Sequence, residues 1–198
     1  MGNALVKKVE PSRLNDPQDV FDVQEVYGDS GTTLRLFPPN PTSETLNNNY
    51  QNNPLPGRSD YDLLALGLEL LPGTVRMDGG NNVDPVSIIN TIASGVLRFE
   101  IMGGKERAFV HPLHRHLDFS RLDFNVETGT LNIGEEVFKL FEPFELQAEN
   151  QFKVTLEWPS VDGLPDQSDW DASVTAGNNS GILGFRATLQ VNQYEGSL

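Results

Sequence analysis

The chain contains no cysteine, which excludes disulfides, thiolate nucleophiles and cysteine-ligated zinc or iron–sulfur centres. Histidine is scarce, with three residues in 198, all in one hexapeptide. Basic residues are also few. Fourteen Lys and Arg face 28 Asp and Glu, a formal net charge of −14, whereas binding to a phosphate backbone relies on cations that displace counterions. No direct contact with nucleic acid is therefore expected. No window reaches the roughly 18 apolar residues of a membrane helix, and the first residues lack the apolar stretch of a secretory leader, so a product soluble as made is expected. Met1-Gly2-Asn3-Ala4-Leu5-Val6 begins like a myristoylation signal but carries Val6 where Ser or Thr is usual. A Gly-x-Ser-x-Gly elbow, a phosphate-binding loop and a dinucleotide fingerprint are all missing, and the expectation is a protein that is not an enzyme.

What the chain has in quantity is strand pattern. Phe152, Val154, Leu156 and Trp158 alternate with Gln151, Lys153, Thr155 and Glu157, the period of a strand with one buried and one wet face. Phe141 to Leu146 reads as a short edge strand leading into it. Val20 to Tyr27 and Thr32 to Phe37 flank Gly28-Asp29-Ser30-Gly31 and read as a first hairpin. Tyr61 to Leu71 is dense enough for a buried strand, with Gly67 and the Pro72-Gly73 stop arguing against a helix. Val96 to Ile101 and Arg107 to Val110 pair across a glycine turn, and Leu122 to Val126, Leu131 to Ile133, Val137 to Phe141 and Ile182 to Val191 complete about eight to ten strands. One short helix is expected from Asp84 to Gly95, with Asp at the N-cap, Pro at the first helical position and Gly just past the end. Pro38 to Arg58 and Pro159 to Ala176 read as long polar loops. The organisation expected is an N-terminal arm over residues 1–19 and a single all-β domain over 20–198, an antiparallel two-sheet β-sandwich or jelly roll.

Three clusters invite chemistry. In His111-Pro112-Leu113-His114-Arg115-His116, an extended backbone would place His114, His116 and Asp118 on one face, a donor set for zinc or iron. Cupin-type enzymes use such a His-x-His pair. They also need a glycine ahead of it, where this chain has Ala108, a glutamate after it and a further distant histidine, and both of the latter are missing here. The favoured reading is that Pro112 breaks the strand and that the imidazoles serve a loop or an interface. Asp162, Asp166, Asp169 and Asp171 offer hard oxygen donors, but their spacing departs from that of a calcium loop. A solvated acidic loop is the simpler reading. Trp158 falls on the apolar face of its strand and belongs in the core, which leaves Trp170 as the residue open to stacking on a sugar. No catalytic, cofactor-binding or metal residue is assigned, and no cofactor is expected.

The short arm, the strand and turn from Val20 to Gly31, the long loops and the late motif Phe141-x-Pro-Phe-x-Leu followed by Phe152-x-Val-x-Leu-x-Trp158 resemble the single jelly-roll capsid proteins of icosahedral viruses, especially tailless bacteriophages. The resemblance covers roughly residues 20 to 195 and implies a structural subunit of a virion. Its partners would be copies of itself and other capsid proteins, with a lipid layer within reach of Leu5 to Lys8. The arm carries Lys7, Lys8 and Arg13 against Glu10, Asp16 and Asp19, unlike the strongly basic arms that contact a packaged genome. The alternatives are a carbohydrate- or host-binding β-sandwich module and a metal-dependent cupin-like enzyme.

Overall fold

The computed structural model describes residues 18–39, 61–72, 74–76, 83–102, 107–117, 123–125, 127–132, 136–146 and 151–193. The expected arm (all but its last two residues), most of the Pro38–Arg58 loop, and the turns at 103–106 and 147–150 lie outside these residues. Eleven strands and two helices follow one another along the described chain. They are β1 (Gln18–Glu25), β2 (Thr33–Leu36), β3 (Tyr61–Leu71), β4 (Thr74–Arg76), α1 (Pro85–Ala93), β5 (Val96–Met102), β6 (Arg107–Pro112), β7 (Asp123–Asn125), β8 (Thr130–Asn132), β9 (Glu136–Leu146), β10 (Gln151–Glu157), α2 (Gln167–Thr175) and β11 (Gly184–Gln193). One 3-10 turn, Leu113–Arg115, follows β6.

The strands form two four-stranded antiparallel sheets, β1-β11-β3-β9 and β2-β10-β5-β6, and a small sheet β4-β8-β7. This is a mostly β molecule consistent with a β-sandwich. Among the eight strands of the larger sheets the first pairs with the eighth, β1 with β11, and the second with the seventh, β2 with β10. The third pairs with the sixth, β3 with β9, and the fourth with the fifth, β5 with β6.

One apolar cluster takes side chains from both four-stranded sheets. In β10, Phe152, Val154, Leu156 and then Trp158 are buried, as the alternation predicts, and they face Ile101, Phe99 and Leu97 of β5 in register. In the other sheet Leu66, Leu68 and Leu70 of β3 sit opposite Leu189, Ala187 and Phe185 of β11. Trp158 and Phe185 stack across the gap with centroids 6.0 Å apart. Fully burying an aromatic of this size contributes about 2 to 3 kcal/mol, so this pair is a principal tie between the layers. Gly95 lets it form, since a Cβ there would lie 2.5 Å from Trp158 Nε1.

Three expectations need correction. The first hairpin is not one. β1 and β2 do not pair; the backbone N–H of Val26 donates to Leu183 and that of Trp158 donates to Thr32, both at 2.9 Å, so each strand spends its ladder bonds on a different sheet. The Tyr27–Ser30 turn between them is a corner, tied to the 159–166 loop by Gly28 N–H donating to Pro165 O at 2.9 Å. The edge strand before Phe152 is edge-placed but 11 residues long, and β10 follows in the opposite sheet. Between Leu63↔Phe144 and Ala65↔Lys139 its pairing is interrupted around Pro143, which has no N–H to offer a ladder.

The Pro159–Ala176 loop contains α2, a second helix where one was expected. Its C-terminus closes with Asn178 N–H donating to Ser173 O at 3.0 Å and Gly177 N–H to Val174 O at 2.9 Å. Gly177 stands at φ 75°, where a side chain would clash with the backbone. The predicted helix is found as α1, with Asp84 Oδ1 accepting from Val86 N–H at 3.1 Å and Oδ2 from Ser87 Oγ at 2.6 Å. These bonds to the charged form hold the Asp84 carboxyl below its ordinary range.

Candidate functional site

The histidines do not form the extended chelate. Pro112 ends β6, the chain turns into the 3-10 segment Leu113–Arg115, and the two ends of His114-x-His116 part: His114 is exposed and His116 is 0% exposed. Asp118 lies outside the described residues. The structure instead joins His116 to His111, with ring centroids 5.5 Å apart and planes at 29°. His111 pairs in register with Leu97, whose side chain is in the core, so it points inward. It packs on Phe109 at 4.9 Å, and Phe109 stacks on Phe99 at 5.3 Å. His116 thus ends an aromatic row at the edge strand β6. Burial, and then the neighbouring His111 charge, push His116 down to about 4, so it is neutral at pH 7. His111 was legible as an inward residue, because Phe109-x-His111 continues the alternation of β6.

Across the sandwich lies a second buried ionisable group. Asp22 of β1 is fully buried opposite Ala187. Its Oδ2 accepts from the Phe37 N–H at 2.7 Å, and its oxygens accept from Gln24 Nε2 at 3.1 and 3.2 Å. Phe37 follows β2, so this carboxylate ties the outermost strand of one sheet to the outermost strand of the other. Phe37 holds φ 50°, a left-handed backbone that disfavours a bulky residue. Burial raises the Asp22 carboxyl above its ordinary range against the lowering effect of these bonds. Nothing in the sequence singled Asp22 out.

The other candidates separate. Trp170 is 0% exposed, and its Nε1 donates to Gly181 O at 2.9 Å. The expectation that it is free to stack on a sugar is overturned, because Trp170 helps to anchor α2 to the core. Asp162, Asp166 and Asp171 are exposed along the 159–176 segment. Among the described residues no group of three or more His, Asp or Glu comes together to hold a metal. No described helix is long and apolar enough to cross a membrane.

No protein family, curated protein or solved structure matches this chain.

The remaining chemistry lies on faces. The outer side of β2-β10-β5-β6 carries Arg98, whose Nε lies 3.2 Å from Glu157 Oε1, and Lys153, 3.9 Å from Glu100. Arg186 on the other sheet lies 3.5 Å from Glu69 and over the Phe21 ring at 5.5 Å. Exposed pairs of this kind contribute little to stability. They do fix which charges a neighbour would meet.

Proposed function

We propose that this chain is a jelly-roll structural subunit that assembles into a shell, of the kind tailless bacteriophages build, and works through its surfaces rather than through a reaction centre. The observation that carries this reading is the pairing of first strand with eighth, second with seventh, third with sixth and fourth with fifth. Such pairing describes one long hairpin. Rolling it would bring β11 beside β3 and β10 beside β5, the remaining pairs of the two sheets, and this agreement supports the jelly-roll reading. Fold alone does not choose a function. Two of the alternatives lose the residues named for them: the cupin-like reading needed His114 and His116 on one face, and the sugar-binding form of the binding-module reading needed an accessible Trp170, while a host-binding module does not depend on either. The shell reading needs a rigid core and outward faces of defined charge, and it keeps both.

In this role the subunit is soluble in the host cytoplasm before assembly, its partners are copies of itself and other capsid proteins, and its final location is the virion. The net charge of −14 keeps free subunits apart, so association is sensitive to ionic strength and to divalent cations that bridge carboxylates. Sedimentation velocity of the purified chain over a wide concentration range, at low and high salt, with and without EDTA, tests the reading. Large or concentration-dependent species that shift with salt are expected; a strict monomer under every condition overturns it.

A further inference from the structure

The register of β2-β10-β5-β6 sets one cross-strand row on its outer face: Arg35 opposite Thr155, Thr155 opposite Arg98, and Arg98 opposite Val110. Their neighbours along each strand, Leu36, Val154, Leu156, Leu97 and Phe99, are the buried ones, so the row faces away from the core. Val110 is 47% exposed, yet Thr155, between Arg35 and Arg98 in the register, is only 2% exposed. Thr155 Oγ1 and Arg35 Nε are shielded from water and have no hydrogen-bond partner among the described residues. Buried polar atoms left in this state are costly and uncommon.

Charge points the same way. Arg98 and Lys153 are matched by Glu157 and Glu100, whereas Arg35 makes no ion pair among the described residues. In a chain of net charge −14 this face holds a cation that no carboxylate among the described residues neutralises. The segment from Pro159 to Leu183 is its opposite, with Asp162, Asp166, Asp169 and Asp171 and no Lys or Arg. Asp162 and Asp171 are exposed.

We propose that Arg35, with Thr155 beside it, receives a carboxylate from the 159–183 segment of a second copy of this chain, in a head-to-tail contact between subunits. A guanidinium presents a fixed fork of donors that suits a carboxylate, and the threonine hydroxyl adds one more. An acceptor arriving from outside draws Arg35 off the sheet and relieves both shielded atoms. The contact is heterologous, because the donor patch and the acidic segment are different surfaces of one subunit, so repetition propagates a lattice or closes a ring. This inference rests on the assembly reading and names one contact within it.

Charge reversal tests it on the full chain by sedimentation velocity. Arg35→Glu alone, and Asp162→Lys with Asp171→Lys, should each weaken association by about tenfold or more, as breaking a close intersubunit charge pair does. The two variants mixed in equal amounts should associate as the wild type does, because opposite charges then face each other again. Arg35→Gln, which keeps most of the stem and loses the charge, should fold with the wild-type melting curve and associate more weakly; it stands in where Arg35→Glu fails to fold. Wild-type association by both Arg35 variants overturns this contact and leaves the assembly reading intact. Weakened variants that do not recover on mixing overturn the choice of the 159–183 segment. A wild-type chain that stays monomeric overturns the assembly reading and this contact with it.

Discussion

Asp22 and His116 are both ionisable, both fully buried and both near outermost strands of the sandwich, yet they are held in different ways. Asp22 receives a backbone N–H and a side-chain amide and links one sheet to the other. His116 is held by stacking on His111 and by apolar surroundings at the end of β6. The first is a polar latch and the second an aromatic plug. They also answer protons in opposite senses. A carboxyl raised above its ordinary range favours the fold when protonated, so the Asp22 contribution is complete below about 3.8 and is lost as pH rises through the raised value. An imidazole lowered from 6.5 to about 4 favours the fold when neutral, so the His116 contribution is present above 6.5 and is lost as pH falls towards 4. Acid therefore loosens the plug while it secures the latch.

The largest effect is expected at the latch. Asp22→Ala leaves the Phe37 N–H without its acceptor at a disfavoured φ, and an expected loss of about 3 kcal/mol in urea unfolding at pH 7 follows from a hydrogen bond removed plus a buried donor orphaned. A loss below about 1 kcal/mol would show that the carboxylate does not hold the corner. Next in size is the acid limb. Between pH 6.5 and pH 4 unfolding free energy should fall by roughly 2 to 3 kcal/mol through His116, and His116→Phe should flatten that fall; an unchanged slope in the variant contradicts the role given to the plug.

Asp22→Asn separates the two groups further. It keeps an acceptor for Phe37 and removes the compensating protonation, so it should cost about 1 kcal/mol at pH 7 and make the acid limb steeper than in the wild type. A shallower limb would reverse the sign assigned to Asp22. Smallest among these effects, and away from both groups, Asp84→Ala removes the α1 cap and should cost about 1 kcal/mol, with no change in slope between pH 5 and pH 7, because the lowered Asp84 carboxyl titrates below that window. Unfolding curves at several pH values measure all four variants.

The strands and the α1 cap could be read from the chain because local chemistry decides them. Tyr61–Leu71 was recovered to the residue, and the buried face of β10 followed from its alternation. Asp84-Pro85 announced α1. What escaped depends on partners distant in the chain. Nothing in Val20 to Phe37 says that β1 will pair with residues 184–191 and β2 with 154–157, so a corner of hairpin composition reads as a hairpin. α2 has a mostly polar sequence without an apolar stripe, and it is held by Trp170 and Ser173 reaching the interior; Asp166 at its start and Gly177 past its end are the local signs available. β4 is three residues long, too short to show a period. The separation of His114 from His116 follows from the turn that Pro112 introduces, which favoured the loop reading over the chelate without revealing that His116 would be buried against His111. Asp22 is the clearest case of a residue legible only in three dimensions, since its partner Phe37 lies on the strand that crosses to the other sheet.

Under the assembly reading proposed above, both latch and plug would stiffen a subunit that serves as a building block of a shell. Negative-stain imaging of the concentrated full-length chain under the salt conditions that favour association tests this most directly. Closed particles or regular arrays of one repeating subunit are the predicted result. Isolated particles of single-chain size in every condition, with the chain folded by circular dichroism, would contradict it.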